Sequence, residues 1–344
     1  MEFDAYHPSN GDGWRIYVRR ATNPARFNPD LRPLAIVPGY GMNSYIFGWH
    51  PRGESMIDYL TDAGFEVWTM NFRCQDKTVN EGGRRRYGFS EIVTHDLPAA
   101  VACIMEHTRS RRDRLDIIGC SLGGTYLYAY LVLRPDNPLG NVVAMGAPLR
   151  WDHVHPVFRV LFAKPKLLGL LALRGTRTLA RCALPIAAKI PGFLHIYLHP
   201  KAVDLSKPDM LVKTVEDPNP QLNEEIARWM LAADLVVDGV NISEGMASVT
   251  NPLYLMLACA DGIVPEASAM SAATLAASTV KDVITVGDAN YPMAHADMFI
   301  SDEAHQRVFV PLAEWLLAHQ DVARADQTAV APAAPPTSRR KRRP

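Results

Sequence analysis

Short apolar runs alternate along the chain with stretches in which apolar residues recur every three or four positions. The runs start near residues 34, 66, 115, 141, 252 and 282 and predict β-strands, and the continuous apolar runs near 34 and 252 predict buried ones. The spacing between several of them predicts amphipathic helices, for example over residues 54–62 and over residues 90–107 with Ser90 as the cap. Strands that alternate with helices favour an α/β fold with a doubly wound, mostly parallel sheet.

The two ends of the chain add further elements to this pattern. Strict alternation over residues 14–20 predicts an opening antiparallel strand. Apolar residues at helical spacing predict a closing helix over residues 301–319 and a capped amphipathic helix over residues 223–235. From residue 322 onwards Ala, Pro, Ser and Arg dominate, so we expect a disordered basic tail over residues 322–344.

The alternation of strands and helices is interrupted between Pro148 and Asn251, a gap far longer than a loop requires. We therefore expect an inserted helical cap over residues 149–250, between two parts of one α/β core at residues 1–148 and 251–321. The cap is rich in leucine and is broken by Pro165, Pro185 and Pro191. Such a lid favours an apolar substrate or contact with a lipid surface, although the same leucines also suit plain packing of the cap onto the sheet.

Composition and charge narrow the class of protein. The chain is 48% hydrophobic and 21% charged, with a formal net charge of zero. Because residues 339–343 carry five positive charges, the folded body is acidic and no nucleic-acid partner is expected for it. Five cysteines without paired spacing predict reduced thiols, with Cys103, Cys120 and Cys259 buried. With no visible signal segment and no long apolar span, the expected location is cytoplasmic.

The strongest chemical signal is the pattern Gly-x-Ser-x-Gly centred on Ser121. An apolar run precedes it and a helical apolar pattern follows it, which predicts a strand, a sharp turn and a helix with the serine at the turn. The glycines at 119 and 123 centre the motif on Ser121, whereas centring it on Cys120 would require glycines at positions 118 and 122. The serine is therefore the expected nucleophile.

A general base and an orienting acid are predicted further along the chain. Asp261 directly follows the run that begins near residue 252, and His295 lies in the loop after the next run. Since parallel strands end at one edge of the sheet, we expect Ser121, Asp261 and His295 to meet there. Asp261 would orient the imidazole, which would take the proton of the serine. Asp297 is expected at most to support the histidine loop, and His95 and Asp96 are expected to be structural.

These motifs resemble those of the α/β-hydrolase superfamily, with lipase- and esterase-like features and some likeness to polyhydroxyalkanoate synthases. The resemblance covers about residues 12–320 and is weakest in the cap. It implies an oxyanion hole after the strand near residue 34, where the family usually has His-Gly and this chain has Pro38-Gly39. Since the chemistry needs backbone N–H groups, the backbone amides of Tyr40 and Leu122 are the expected donors.

The expected function is hydrolysis of small-molecule carboxylic esters with an apolar acyl group, through an acyl-enzyme. No organic cofactor is expected. No metal is expected either, because the pair His153 and His155 lacks a visible third ligand. Two alternatives remain open. The same triad would serve an acyltransferase, and a cap-enclosed pocket would also suit a non-catalytic lipid-binding protein.

Overall fold

The computed structural model describes residues 1–154, 159, 162–170, 173–187, 190 and 194–321. The predicted tail, residues 322–344, and several parts of the predicted cap, including His155 and residues 191–193, lie outside the described residues. All five cysteines fall inside them and are free. Within the described ranges, no helix combines the length and the apolar character needed to cross a bilayer.

An α/β fold with a mostly parallel sheet is confirmed. The strands are β1 (Glu2–Tyr6), β2 (Trp14–Arg15), β3 (Tyr17–Thr22), β4 (Leu34–Val37), β5 (Val67–Asn71), β6 (Val79–Asn80), β7 (Leu115–Cys120), β8 (Leu139–Met145), β9 (Val236–Val237), β10 (Val240–Asn241), β11 (Leu253–Ala258) and β12 (Lys281–Val286). Eight of them form one sheet in the order β1-β3-β5-β4-β7-β8-β11-β12. The pairs β1–β3 and β3–β5 are antiparallel, and every pair from β5 to β12 along that order is parallel.

Helices cover both faces of this sheet. The α-helices are α1 (Met56–Asp62), α2 (Phe89–Glu91 and Leu97–His107, joined by a π-helical turn at Ile92–Asp96), α3 (Leu122–Leu133), α4 (Pro165–Leu168), α5 (Thr176–Ala187), α6 (Pro208–Leu211), α7 (Pro220–Ala232), α8 (Ile242–Gly245), α9 (Glu266–Leu275), α10 (Asp297–Ile300) and α11 (His305–Phe309, a π-helical turn, continuing as Val310–Ala318). Short 3₁₀ turns lie at Ser44–Gly48, Leu194–Ile196, Val212–Thr214 and Met246–Ser248.

Alternation along the central strands produces one hydrophobic core on each face. In β4, Ala35 and Val37 belong to the core beneath α2 and α3, while Leu34 and Ile36 belong to the core beneath α1 and α11. All four residues of β4 are fully buried. A strand buried on both faces appears in sequence as a continuous apolar run, which is why these runs predicted the sheet.

Several predicted elements differ from the observed ones. The segment predicted as one strand at 14–20 is two short strands, and β1 was not predicted. Helix α1 begins at Met56 because Ser55 caps it, and α7 spans Pro220–Ala232 because Asn219 caps it. The closing helix starts only at His305.

Two predictions about single side chains were wrong. Ser90 does not cap α2, because the helix begins at Phe89 after Gly88 and the Ser90 hydroxyl donates to Asp238 instead. Cys259 is exposed rather than buried, because it lies just past the end of β11, whereas Cys103 and Cys120 are buried.

Candidate active site

Ser121 occupies a strained turn between β7 and α3. Its φ of 53° and ψ of −125° lie in a region that non-glycine residues rarely adopt. The flanking glycines allow this turn to pack closely. A Cβ on Gly119 would meet the Cα of Gly124 at 2.5 Å, and a Cβ on Gly123 would meet the carbonyl oxygen of Val37 at 2.5 Å. Side chains at these positions would therefore move Ser121 away from the end of the sheet.

A short hydrogen bond joins His295 and Asp261. The distance from His295 Nδ1 to Asp261 Oδ2 is 2.6 Å, and the two side chains are only 6% and 4% exposed. The other carboxylate oxygen, Oδ1, accepts hydrogen bonds from the backbone amides of Ile263 and Val264 at 2.8 and 2.9 Å. These contacts fix the carboxylate, which in turn favours the imidazole tautomer with its proton on Nδ1. Nε2 is then the ring nitrogen available to a reacting group.

The loops that carry these three residues all follow the carboxyl ends of parallel strands. Ser121 follows β7, Asp261 follows β11, and His295 follows β12. The intervening strand β8 ends at Met145, and a Cβ added to the next residue, Gly146, would lie 3.0 Å from His295 Cε1. Gly146 is therefore packed against the imidazole, so this edge of the sheet supports the ring of His295.

Ser121 and His295 line the same cavity, which has a volume of about 310 Å³. Most of the other lining side chains are apolar or aromatic. They include Met42, Pro148, Trp151, Ile226, Trp229, Met230, Ile263, Val264 and Phe299. A polar reacting pair at the wall of an apolar cavity is the arrangement expected of a small-molecule site for an apolar ligand.

The residues predicted to form the oxyanion hole also line this cavity. Leu122 is the first residue of α3, so its amide has no acceptor within the helix. Tyr40 follows Gly39, where an added Cβ would meet Ser121 Cβ at 2.9 Å, so this loop passes directly against the turn that carries Ser121. The Tyr40 hydroxyl donates to Asn223 Oδ1 of α7, and burial raises the pKa of this phenol. The loop is thereby tied to a helix in the predicted cap.

A segment of the predicted cap is hydrogen-bonded to both the acid loop and the histidine loop. The amide of Ala296 donates to the carbonyl of Tyr197 at 2.7 Å, and the amide of Gly262 donates to the carbonyl of Ile196 at 3.1 Å. Asp297 is fully buried and accepts from the amides of His199 at 3.0 Å and Ala294 at 2.7 Å. Burial raises the pKa of Asp297 to about 6.

Sequence reasoning missed Tyr197, His199 and the two tryptophans of the cavity wall. Neither Trp151 nor Trp229 belongs to a motif, and the contacts of residues 196–199 are made largely by backbone groups. Contacts between backbone groups leave no pattern of side chains in the sequence from which they could be predicted. A candidate signal was the aromatic content of the predicted cap, but it does not say which rings face the site.

Other candidate chemistry is not supported by the arrangement of side chains. Cys120 is fully buried, and burial raises the pKa of its thiol well above the usual value. Among the described residues, no three His, Cys, Asp or Glu side chains are grouped so as to hold a metal ion. Asp96 is fully buried in an ion pair with Arg73, away from the cavity.

The chain belongs to the alpha/beta hydrolase fold family. The sequence model of that family matches residues 32–203, which is half of the chain and includes Ser121 but neither Asp261 nor His295. A search of curated proteins found no match.

Several solved structures have a similar fold at low sequence identity. An esterase from Exiguobacterium antarcticum has a TM-score of 0.59 and 13% identity, over 91% of this chain and all of that one. A monoacylglycerol lipase from Paleococcus ferrophilus has a TM-score of 0.58 and 17% identity, over 89% and 99% of the two chains. A bromoperoxidase from Bacillus anthracis has a TM-score of 0.59 and 14% identity, over 92% and 100%. These three proteins are named for different activities, so the likenesses show the fold alone.

Proposed function

We propose that this protein is a serine hydrolase that cleaves carboxylic esters with an apolar acyl group. The observation that carries the proposal is the 2.6 Å bond between His295 and Asp261, with His295 and Ser121 on the wall of one apolar cavity. A buried carboxylate that orients a histidine beside a strained serine suits nucleophilic acyl transfer. The apolar wall favours a substrate whose acyl part is hydrocarbon.

In the proposed reaction Ser121 Oγ attacks the ester carbonyl carbon while His295 Nε2 takes the hydroxyl proton. The amides of Tyr40 and Leu122 donate hydrogen bonds to the oxyanion of the tetrahedral intermediate. The bond to the leaving oxygen then breaks, and the imidazolium returns the proton to that oxygen, so the alcohol departs and an acyl-serine remains. A water molecule then attacks the acyl carbon while His295 takes its proton. The bond to Ser121 Oγ breaks, the imidazolium returns the proton to that oxygen, and the carboxylic acid and the free serine are released.

Asp261 does not exchange a proton in this scheme. Its charge stabilises the imidazolium that forms when His295 accepts the serine proton, and its hydrogen bond keeps Nε2 directed at the reacting atoms. The two amide donors to its second oxygen hold the carboxylate in place. No organic cofactor has a step in the scheme.

The direct test is ester hydrolysis by the wild type and by Ser121→Ala over a series of acyl lengths. Loss of the nucleophile is expected to lower kcat by a factor of about 10⁴ or more, with folding unchanged. Labelling by a fluorophosphonate is expected in the wild type and absent in Ser121→Ala. Ser90→Ala, which removes a serine hydroxyl from a surface hydrogen bond with Asp238, is a matched control and should keep full activity.

The same experiment separates the proposal from its rivals. If the wild type is labelled but releases acid only slowly, and added alcohols or thiols accelerate product formation, acyl transfer is the reaction. If the wild type is neither labelled nor active on any ester and instead retains an acyl ligand, the protein binds lipids without cleaving them.

A further inference from the structure

The backbone amide of Tyr40, one of the two expected donors to the oxyanion, lies between two glycines, Gly39 and Gly41. Gly41 has a φ of 61°, and glycine restricts the backbone less than any other residue does. The local sequence therefore does not fix the direction of the Tyr40 N–H group. Because a donor stabilises an oxyanion well only when it is held in place before the reaction, other parts of the chain must hold this loop.

The part of the loop that follows Tyr40 is held by the backbone of the predicted cap. The amide of Glu216 donates to the carbonyl of Gly41 at 2.8 Å, and the amide of Asn43 donates to the carbonyl of Thr214 at 2.8 Å. These bonds run in both directions between the two segments, as in a pair of antiparallel strands. They act on the residues after Tyr40 and leave the side chain of Tyr40 to make its own contact.

The side chain of Tyr40 is attached to the predicted cap by its hydroxyl. This group donates a hydrogen bond to Oδ1 of Asn223, a buried residue of α7. Burial raises the pKa of the phenol, so the hydroxyl keeps its proton and remains a donor at neutral pH. Tyr40 is thus held at the far end of its ring as well as through its backbone neighbours.

Helix α7 also supplies part of the wall of the cavity that contains Ser121. Ile226, Trp229 and Met230 of this helix line the cavity. Asn223 lies three residues before Ile226, and side chains at that spacing share one side of a helix. The hydrogen bond from Tyr40 therefore joins the oxyanion loop to the wall that would contact the acyl part of a substrate.

We propose that Tyr40 and Asn223 are positioning residues whose side-chain hydrogen bond holds the Tyr40 amide in the direction that the oxyanion requires. This inference rests on the proposed function. In this role neither side chain takes a proton or touches the reacting atoms, because both act through the backbone amide. The predicted cap then helps to form the oxyanion hole, in addition to supplying part of the cavity wall.

The first test is Tyr40→Phe, which removes the hydroxyl and keeps the ring and the backbone amide. Because the oxyanion develops only in the transition state, kcat and kcat/KM for methyl hexanoate are expected to fall together by about tenfold, with KM unchanged. This loss is smaller than the factor of about 10²–10³ that follows removal of a whole oxyanion donor. Tyr128→Phe is the matched control and should keep full activity. It removes a buried hydroxyl that has no hydrogen-bond partner among the described residues and lies outside the cavity lining.

The second test is a double-mutant cycle between the two residues. Asn223→Ala should lower kcat as much as Tyr40→Phe does, and the double variant should lose no more than either single variant, because all three lack the same bond. Asn223→Asp keeps an oxygen acceptor and should retain most of the activity. Inhibition by pentylboronic acid, which forms a tetrahedral adduct with a serine hydroxyl, should weaken in each variant by the same factor as kcat.

The outcomes separate this inference from the proposed function. Absence of any Ser121-dependent ester turnover in the wild type would refute the proposed function itself. With an active wild type, an unchanged kcat in Tyr40→Phe, or losses that multiply in the double variant, would refute only the positioning role. A raised KM with unchanged kcat would assign the Tyr40 hydroxyl to substrate binding and overturn the proposal. Equal losses in Tyr40→Phe and Tyr128→Phe would also overturn it, because they would reflect a general effect of losing a buried hydroxyl.

Discussion

At the scale of single residues, two positive φ angles occur in the candidate site, one at the candidate nucleophile and one beside the candidate base. Ser121 has a φ of 53° and Gly146 a φ of 54°. At Ser121 this conformation is strained, and such strain persists only where the surrounding packing enforces it, whereas a glycine such as Gly146 adopts it readily. At Ser121 the enforcing groups are the neighbouring glycines, and at Gly146 the imidazole of His295 takes the space that a side chain would need.

Replacement of Gly146 by alanine tests whether this contact positions the histidine. The new Cβ would lie 3.0 Å from His295 Cε1 and 3.1 Å from Nδ1, so the ring would have to move by a few tenths of an ångström from its present contact with Asp261. We expect kcat for ester hydrolysis to fall by about 10²-fold, since small displacements of catalytic groups are costly. Gly11→Ala is the control, because Gly11 also has a positive φ, of 74°, but has no neighbour within 4 Å of an added Cβ. Equal activities of the two variants would contradict this role.

The raised pKa of Asp297 leads us to expect that the stability of the protein depends on pH. Burial raises its pKa from 3.8 to about 6, with a further contribution from the charge of Asp261, while its amide donors and His295 act in the opposite direction. The folded state therefore binds more protons than the unfolded state between pH 4 and pH 6, and stability from this group is lost as the pH rises through that range. The wild type should therefore lose up to about 3 kcal/mol of unfolding free energy as the pH rises from 4 to 7. Asp297→Asn has no carboxylate at this position and should not show this loss.

Urea unfolding of both proteins at each pH measures this difference, and any pH-independent effect of the substitution cancels. Asp288→Asn is a useful comparison, because backbone amides, first that of Tyr291, and Arg307 lower the pKa of the exposed Asp288. The unfolding free energy of Asp288→Asn relative to wild type should therefore fall as the pH rises, opposite to the change for Asp297→Asn. A pH-independent difference for Asp297→Asn would contradict the buried-carboxylate account.

At the scale of secondary-structure elements, a fully buried ion pair joins α2 to the loop that follows β5. Asp96 accepts from the guanidinium of Arg73 at 2.8 Å, from the backbone amide of Arg73 at 3.0 Å and from Asn10 at 2.5 Å. Both charged side chains have no exposed surface. Asp96 is the last residue of the π-helical turn of α2, and its side chain is buried in this network.

Removal of the Asp96 carboxylate should destabilise the protein without changing its chemistry. Asp96→Ala leaves the Arg73 charge buried with Asp12 as its remaining carboxylate, so we expect a loss of about 3–5 kcal/mol in the free energy of unfolding. Asp30→Ala, which breaks an exposed ion pair with Arg111, should cost less than about 1 kcal/mol. Chemical denaturation measures both. Loss of kcat in well-folded Asp96→Ala would contradict a purely structural role.

Strands that are completely buried were predictable from the sequence. The starts of helices were less predictable, because local side-chain contacts determine them. The continuous apolar runs that became β4, β5, β7, β8 and β11 have buried side chains on both faces of the sheet. Helix starts were less accurate, because a capping side chain and a surface serine look alike in sequence. Ser55 caps α1, but Ser90 pairs with Asp238, a residue far away in the chain.

At the scale of the whole molecule, every residue assigned to the site lies between Tyr40 and Phe299, and α11 closes the core behind it. Leu312 and Leu316 of α11 are fully buried, and Trp315 stacks on Tyr254 of β11. Among the described residues, the lining of the site ends at Phe299. The basic tail is therefore expected to be dispensable for turnover of dissolved substrates.

Deletion of residues 322–344 should leave kcat/KM on short-chain dissolved esters within about twofold of wild type. Deletion of residues 310–344 should instead abolish the folded state, because it removes fully buried leucines from one of the two cores. Circular dichroism and ester hydrolysis on both truncated chains provide the comparison. A large loss of activity in the shorter deletion would show that the tail acts on the site.

The sequence by itself determined the class of fold and the order of the candidate catalytic residues. Apolar runs at regular intervals predict a parallel sheet, since residues buried on both faces leave a continuous hydrophobic pattern. Because such strands end at one edge, the positions of Ser121, Asp261 and His295 after three of them already predicted a common site. Only the tertiary structure decided which side chains surround that site. Tyr197, Trp151 and Trp229 reach it from segments distant in sequence, and packing between core and cap follows from three-dimensional complementarity that no local pattern encodes.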